Sequence, residues 1–132
     1  MGIRISLVEL VVADMARSLA FYRLLGLAVP AEADEEPHVD FEIGAGMRIA
    51  WDTIDTIKSF DASWTSPSGG HRTALAFACD SAAEVDETFA RLVAAGHHGH
   101  LQPFDAFWGH RYAVLHDPDG IPVDLFAPLP AA

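Results

Sequence analysis

The chain predicts an α+β fold made of two βαβββ modules, and three stretches carry that reading. A strand-like run before Asp14 leads into an amphipathic segment that stops at Gly26, and the same arrangement recurs from Thr73 through Ser81 to Gly96. The third is WGHRYAVLHDPDGIPVDLF, Trp108 to Phe126, where two strand-like runs flank Asp117-Pro118-Asp119-Gly120. Asp at the first turn position can bond its own backbone two residues on, Pro presets φ, and Gly closes the turn.

The elements follow in order. Ile3 to Val12 alternates and is rich in β-branched residues, which predicts a strand, and Asp14 stands where a helix N-cap belongs. In MARSLAFYRLLG the apolar Met15, Leu19, Tyr22 and Leu25 recur at three- and four-residue steps before Gly26. Leu27 to Pro30 reads as a short strand, and the acidic run Ala31 to Pro37 as a solvated loop. Val39, Phe41 and Ile43 alternate with Asp40 and Glu42, and Gly44-Ala45-Gly46 then turns the chain into MRIAWDT, so a hairpin is predicted with Trp51 packed inside. Asp55 to Gly70 has no firm period, and its tryptophan-containing part reads as a short helix or a flap.

In the second half Thr73 to Asp80 reads as a strand. Ser81-Ala82-Ala83-Glu84 has capping-box spacing, and Val85, Phe89, Leu92 and Val93 form the apolar stripe of a helix about one turn longer than the first. Three strands follow, near His100 to Pro103, Arg111 to His116 and Ile121 to Phe126. Pro122 removes a backbone donor from the last strand, so it belongs at the first paired position or beside a bulge. The expected organisation is a single domain: a first module 1–60, a linker 61–71 and a second module 72–132.

Composition narrows the partners. The chain of 132 residues is 51% hydrophobic and 20% charged, the balance of an ordinary globule, and no run approaches the ~20 apolar residues of a membrane span. The reading expects no signal peptide, since Glu9 interrupts the N-terminal apolar stretch. One cysteine, Cys79, excludes an internal disulfide and fits a cytoplasmic setting. A net charge of −11 repels phosphate backbones and anionic lipid, which argues against nucleic acid and membrane as partners and favours a neutral or cationic small molecule.

The helix motif Ser18-Leu19-Ala20-Phe21-Tyr22, closed by Leu25-Gly26, combines with the DPDG turn and Asp124 four residues after Gly120. Together they resemble the glyoxalase/bleomycin-resistance/dioxygenase group, the vicinal oxygen chelate superfamily, over nearly the whole chain. The resemblance implies paired modules whose mixed sheet curls around a cavity, usually completed in a homodimer. In metal-dependent members it also implies ligands at four strand positions, which here hold Leu7, Ala50, Ala74 and Asp124. Three of those cannot bind a metal, so the reading expects no metal and no cofactor. The alternative is a divalent metal such as Fe, Mn, Ni or Zn, held by substitutes such as Glu9, His71, His110 and His116.

Strand parity on that frame turns Leu7, Glu9 and Val11 inward with Ala74, Ala76 and Ala78, while Leu75, Phe77 and Cys79 pack on helices. Tyr112, Val114, His116, Asp124, Phe126 and Arg48 complete the expected ligand-binding lining. Phe104, Phe107, Trp108 and Trp64 are placed near its mouth, either to stack on a planar or cationic ligand or to close the core or a dimer contact. Glu9, His116 and Asp124 are the candidate catalytic groups. Glu9 and Asp124 would share a proton or be neutralised by Arg48 or Arg111, and His116 would shuttle protons or simply hydrogen-bond at a turn. His97, His98 and His100 are read as a surface loop. The resulting function is metal-independent binding of an aromatic or cationic compound. The alternative is a lyase, isomerase or dioxygenase using rebuilt ligands or carboxylate and histidine acid–base chemistry.

Overall fold

The computed structural model describes residues 2–130. The α+β class holds, and the strands form two sheets of three and four strands, neither closed on itself. The chain divides into two compact units, Met1–Arg23 with Leu27–Ser66, and Leu24–Gly26 with Pro67–Ala132.

In the first unit β1 (Leu7–Val12) leads into α1 (Met15–Leu24), and the hairpin β2 (His38–Gly44) and β3 (Met47–Thr53) leads into α2 (Ile54–Phe60). The sheet order is β1-β3-β2, with β1 parallel and β2 antiparallel to β3. Asp14 caps α1 as expected, its Oδ1 accepting from the Arg17 amide at 3.0 Å. Trp51 is fully buried and its ring lies 5.6 Å from that of Tyr22. α2 starts where the Thr53 side chain accepts from the Thr56 amide, and it ends before Trp64.

Two expectations need correction here. β1 begins at Leu7 rather than Ile3, and Leu27 to Pro30 is not a strand. The second departure has a local cause. The Val29 amide bonds the Leu27 carbonyl, Arg23 donates from Nε to the Val29 carbonyl and from Nη2 to that of Pro30, and Pro30 has no amide proton. Those backbone groups are satisfied without a neighbouring strand, and the acidic run continues as a 3-10 helix over Ala31–Glu35.

In the second unit β4 (Leu75–Ala78), α3 (Ala82–Ala94), β5 (His98–Asp105), β6 (His110–His116) and β7 (Pro122–Pro128) complete a βαβββ module of sheet order β4-β7-β6-β5. Ser81 caps α3 through the Glu84 amide, and Glu84 reaches back to the Asp80 amide. Val85, Phe89 and Leu92 of α3 are buried, as are Ala113, Leu115, Val123 and Leu125 of β6 and β7. In the DPDG turn Asp117 Oδ1 accepts from the amides of Asp119 and Ile121, and Gly120 takes φ +86°. Pro122 is the first paired residue of β7, opposite His116.

His98 and His100 lie on β5, not in a loop, because the strand begins as soon as Gly96 at φ +97° has turned the chain out of α3. Ala74 stands just before β4. Ala74, Ala76 and Ala78 are exposed while Leu75 and Phe77 are half-buried, the alternation that strand parity demands.

Candidate functional site

Each sheet gathers polar groups on one face. On the first, register places Leu7, Arg48 and Glu42 in one row, Glu9, Ala50 and Asp40 in the next, and Val11, Asp52 and His38 in the third. Strand alternation puts all nine side chains on the face opposite Trp51 and Val39. Asp52 is the deepest charge, 3% exposed, with Oδ1 at 2.5 Å from His38 Nδ1. His38 Nε2 lies 3.1 Å from Asp40, which also receives Arg48 Nε at 2.7 Å.

This chain of contacts polarises its members. The hydrogen bond to Asp52 is the main cause that holds the His38 pKa above the ordinary imidazole value. Asp40 is lowered, first by its bond from Arg48. Glu9 is raised, first by hydrogen bonding to Asp52 and then by burial and repulsion from the same carboxylate. Asp52 Oδ2 is buried with no fixed donor among the described residues, and it is this carboxyl that raises the Glu9 pKa. The carboxyl that perturbs Glu9 is Asp52, diagonal to it on the same sheet. Arg48 is committed to Asp40 and leaves Glu9 without a guanidinium partner in that contact.

The sign of the His38 shift gives a stability test. A raised folded pKa means stability that is complete below the unfolded value near 6.5 and is lost as pH rises through the folded value. The gap in urea midpoint between the wild type and His38→Gln is expected to be widest near pH 6 and to narrow at alkaline pH. Parallel midpoint curves across that range would contradict it.

On the second sheet the face away from α3 carries three rows. Phe104, Tyr112, Phe126 and Ala78 form one, Leu101, Val114, Asp124 and Ala76 the next, and His98, His116 and Pro122 the last. The Tyr112 hydroxyl donates to Asp124. Burial first, and then that bond, push the tyrosine pKa up to about 12, so the phenol stays a proton donor. Around it the rings assemble: Trp108 at 5.2 Å and Phe104 at 6.0 Å from Tyr112, both edge-on, and His110 at 5.3 Å from Phe126. Trp108 Nε1 donates to His110 Nδ1 at 3.2 Å. Trp108 is 48% exposed and Phe107, edge-on to it at 5.0 Å, is 97% exposed.

The structure thus brings Phe104, Trp108, Tyr112, Val114, Asp124, Phe126 and Ala76 onto one face, with Ala74 at the start of the same edge. Arg111 does not neutralise Asp124. It alternates to the other side and binds Asp86 at 2.9 Å and Asp105 at 3.0 Å. His116 sits one row beyond Asp124, its pKa lowered first by burial and then by repulsion from His100 and His98. Trp64 belongs to the first unit, half-buried. Sequence reasoning missed His38, Asp40 and Asp52 as a group, although the alternation in HVDFEIG and MRIAWDT already put them on one face.

The donor set does not fit a metal at the family positions. Leu7, Ala50 and Ala74 offer no ligand atom, and the Asp124 carboxylate accepts from Tyr112.

The model of the Glyoxalase/Bleomycin resistance protein/Dioxygenase superfamily matches residues 4–125. Among curated proteins none matches. A glyoxalase/bleomycin resistance protein/dioxygenase family enzyme from Burkholderia phytofirmans PsJN superposes with a TM-score of 0.79 at 20% identity, over 94% of this chain and 98% of that one. A glyoxalase-related enzyme from Fulvimarina pelagi gives 0.78 at 22%, over 94% and 87%. A glyoxalase/bleomycin resistance protein/dioxygenase from Nocardioides gives 0.72 at 26%, over 100% and 87%. With the motif pair and a family match over residues 4–125, this chain belongs to the glyoxalase/bleomycin resistance protein/dioxygenase superfamily. No helix among the described residues is long and apolar enough to cross a membrane.

Proposed function

We propose that this protein binds a small aromatic or cationic organic molecule on the second sheet, without a metal at the family's ligand positions. The observation that carries the reading is the ring cluster of Phe104, Trp108, Tyr112 and Phe126 set beside the Asp124 carboxylate on one sheet face. Rings offer planar stacking surfaces, and a carboxylate one row away offers charge to a cation. The net charge of −11 adds long-range attraction for cations. A cytoplasmic homodimer completes the proposal, and the exposed Phe107 and Phe60 are apolar surface that a second copy would cover.

The test is fluorescence titration with proflavine, a planar aromatic cation. Saturable binding is expected, weakened about 5- to 10-fold in Trp108→Ala, the loss of one stacked ring. Asp124→Asn should weaken it further for the cation and leave a neutral aromatic unaffected. Binding that ignores both substitutions would reject the reading.

Acid–base catalysis on the first sheet is a second reading, favoured by one observation: Glu9, Asp52 and His38 hold two carboxyls and an imidazole in contact, with Glu9 made easier to protonate. It requires saturable turnover that Glu9→Gln abolishes.

A further inference from the structure

β5 is irregular where it leaves α3. His98 pairs with His116 and Gly99 with Leu115, but the next partner of β6, Val114, faces Leu101, so His100 is an extra residue in the ladder. An inserted residue of this kind bends a strand and re-aims a side chain. Its position is fixed from the other side of the sheet. A Cβ on Gly99 would stand 2.6 Å from Phe89 Cζ and 2.9 Å from Val93 Cγ2, so only glycine lets β5 lie this close to α3. With Gly99 pressed on the helix, both neighbouring histidines project to the opposite face, where His116 arrives from β6. The His100 and His116 rings stack at 4.4 Å, and the His98 and His116 centroids are 5.1 Å apart.

We infer that His98, His100 and His116 form a site for one divalent transition-metal ion, separate from the family's ligand positions. One ligand nitrogen from each residue lies within 4.8 Å of the others. Three imidazoles around a tetrahedral ion at about 2.0–2.1 Å from each nitrogen need separations of roughly 3.3 Å, a contraction that rotation of the exposed His98 and His100 side chains supplies. The donors are all imidazole nitrogens, which suits Zn, Ni, Cu and Co and disfavours Mg and Ca. Three protein ligands leave a fourth position to water or to a ligand atom. The site goes beyond the binding reading, since its ligands include none of the ring cluster and its occupancy is measured without any organic ligand.

The experiment is calorimetric titration of tag-free protein with Zn(II), Ni(II) and Mg(II), and an absorption titration with Co(II). About one equivalent of Zn(II) or Ni(II) is expected, with visible Co(II) bands and no saturable Mg(II) binding. His98→Ala and His100→Ala, both at exposed positions, should each weaken Zn(II) by at least about tenfold, judged against the 10- to 100-fold losses that even outer ligand partners cause. Glu9→Gln should leave the affinity unchanged. The inference is overturned by the absence of saturable binding, by binding that neither histidine substitution changes, by weakening in only one of them, or by loss in His38→Ala, which would move the ion to the first unit.

Discussion

Trp51→Ala should lower the folding free energy by about 3–5 kcal/mol, the cost of truncating a large aromatic residue in a packed core. Trp51 has no exposed surface and packs against Tyr22. At the ~0.05–0.15 kcal/mol per residue typical of natural domains, a loss of that size takes a large share of the total stability. Trp108→Ala is the informative partner, because a residue that keeps 48% of its exposure leaves little cavity when it is truncated. Urea unfolding of the two variants should separate them clearly, the first losing a large part of its midpoint and the second nearly none. Equal losses would mean that Trp108 closes a core rather than lining a binding face.

Gly99→Ala should cost about 1–3 kcal/mol through overpacking, although alanine is otherwise a mild substitution. The new methyl would enter space already held by Phe89 and Val93, and Phe89 is itself only 6% exposed. Shrinking the neighbour should recover part of the loss, so Gly99→Ala with Val93→Ala is expected to be more stable than the sum of the single changes allows. Additive single and double effects in thermal unfolding would show that β5 can move away from α3 freely. That outcome would also remove the reason for the fixed direction of His98 and His100.

Much of the fold was legible because it is written in short-range chemistry. Asp14, Ser81 and the DPDG turn act through bonds to residues two to four positions away, and each was found where the sequence placed it. The segment at Leu27 to Pro30 was not legible, because its fate depends on Arg23 reaching six and seven residues along to occupy two carbonyls. The shared face of β6 and β7 was legible for a related reason. Parity alone sorts Tyr112, Val114, Asp124 and Phe126 from Ala113, Leu115, Val123 and Leu125. Parity does not say which charges meet across strands. The Glu9 and Asp52 contact depends on the parallel register of β1 with β3, residues separated by a helix and a hairpin. The histidine group depends on a one-residue irregularity in β5, which period-two reading has no means to place. A run of histidines just after a helix stop therefore looked like loop.

Amide chemical-shift mapping of isotopically labelled protein titrated with proflavine tests the proposed binding face on the second sheet most directly. Shifts concentrated at Ala76, Phe104, Trp108, Tyr112 and Phe126, and saturating together, are the predicted result. Shifts confined to Glu9, His38 and Asp52, or saturation with no change at the ring cluster, would contradict it.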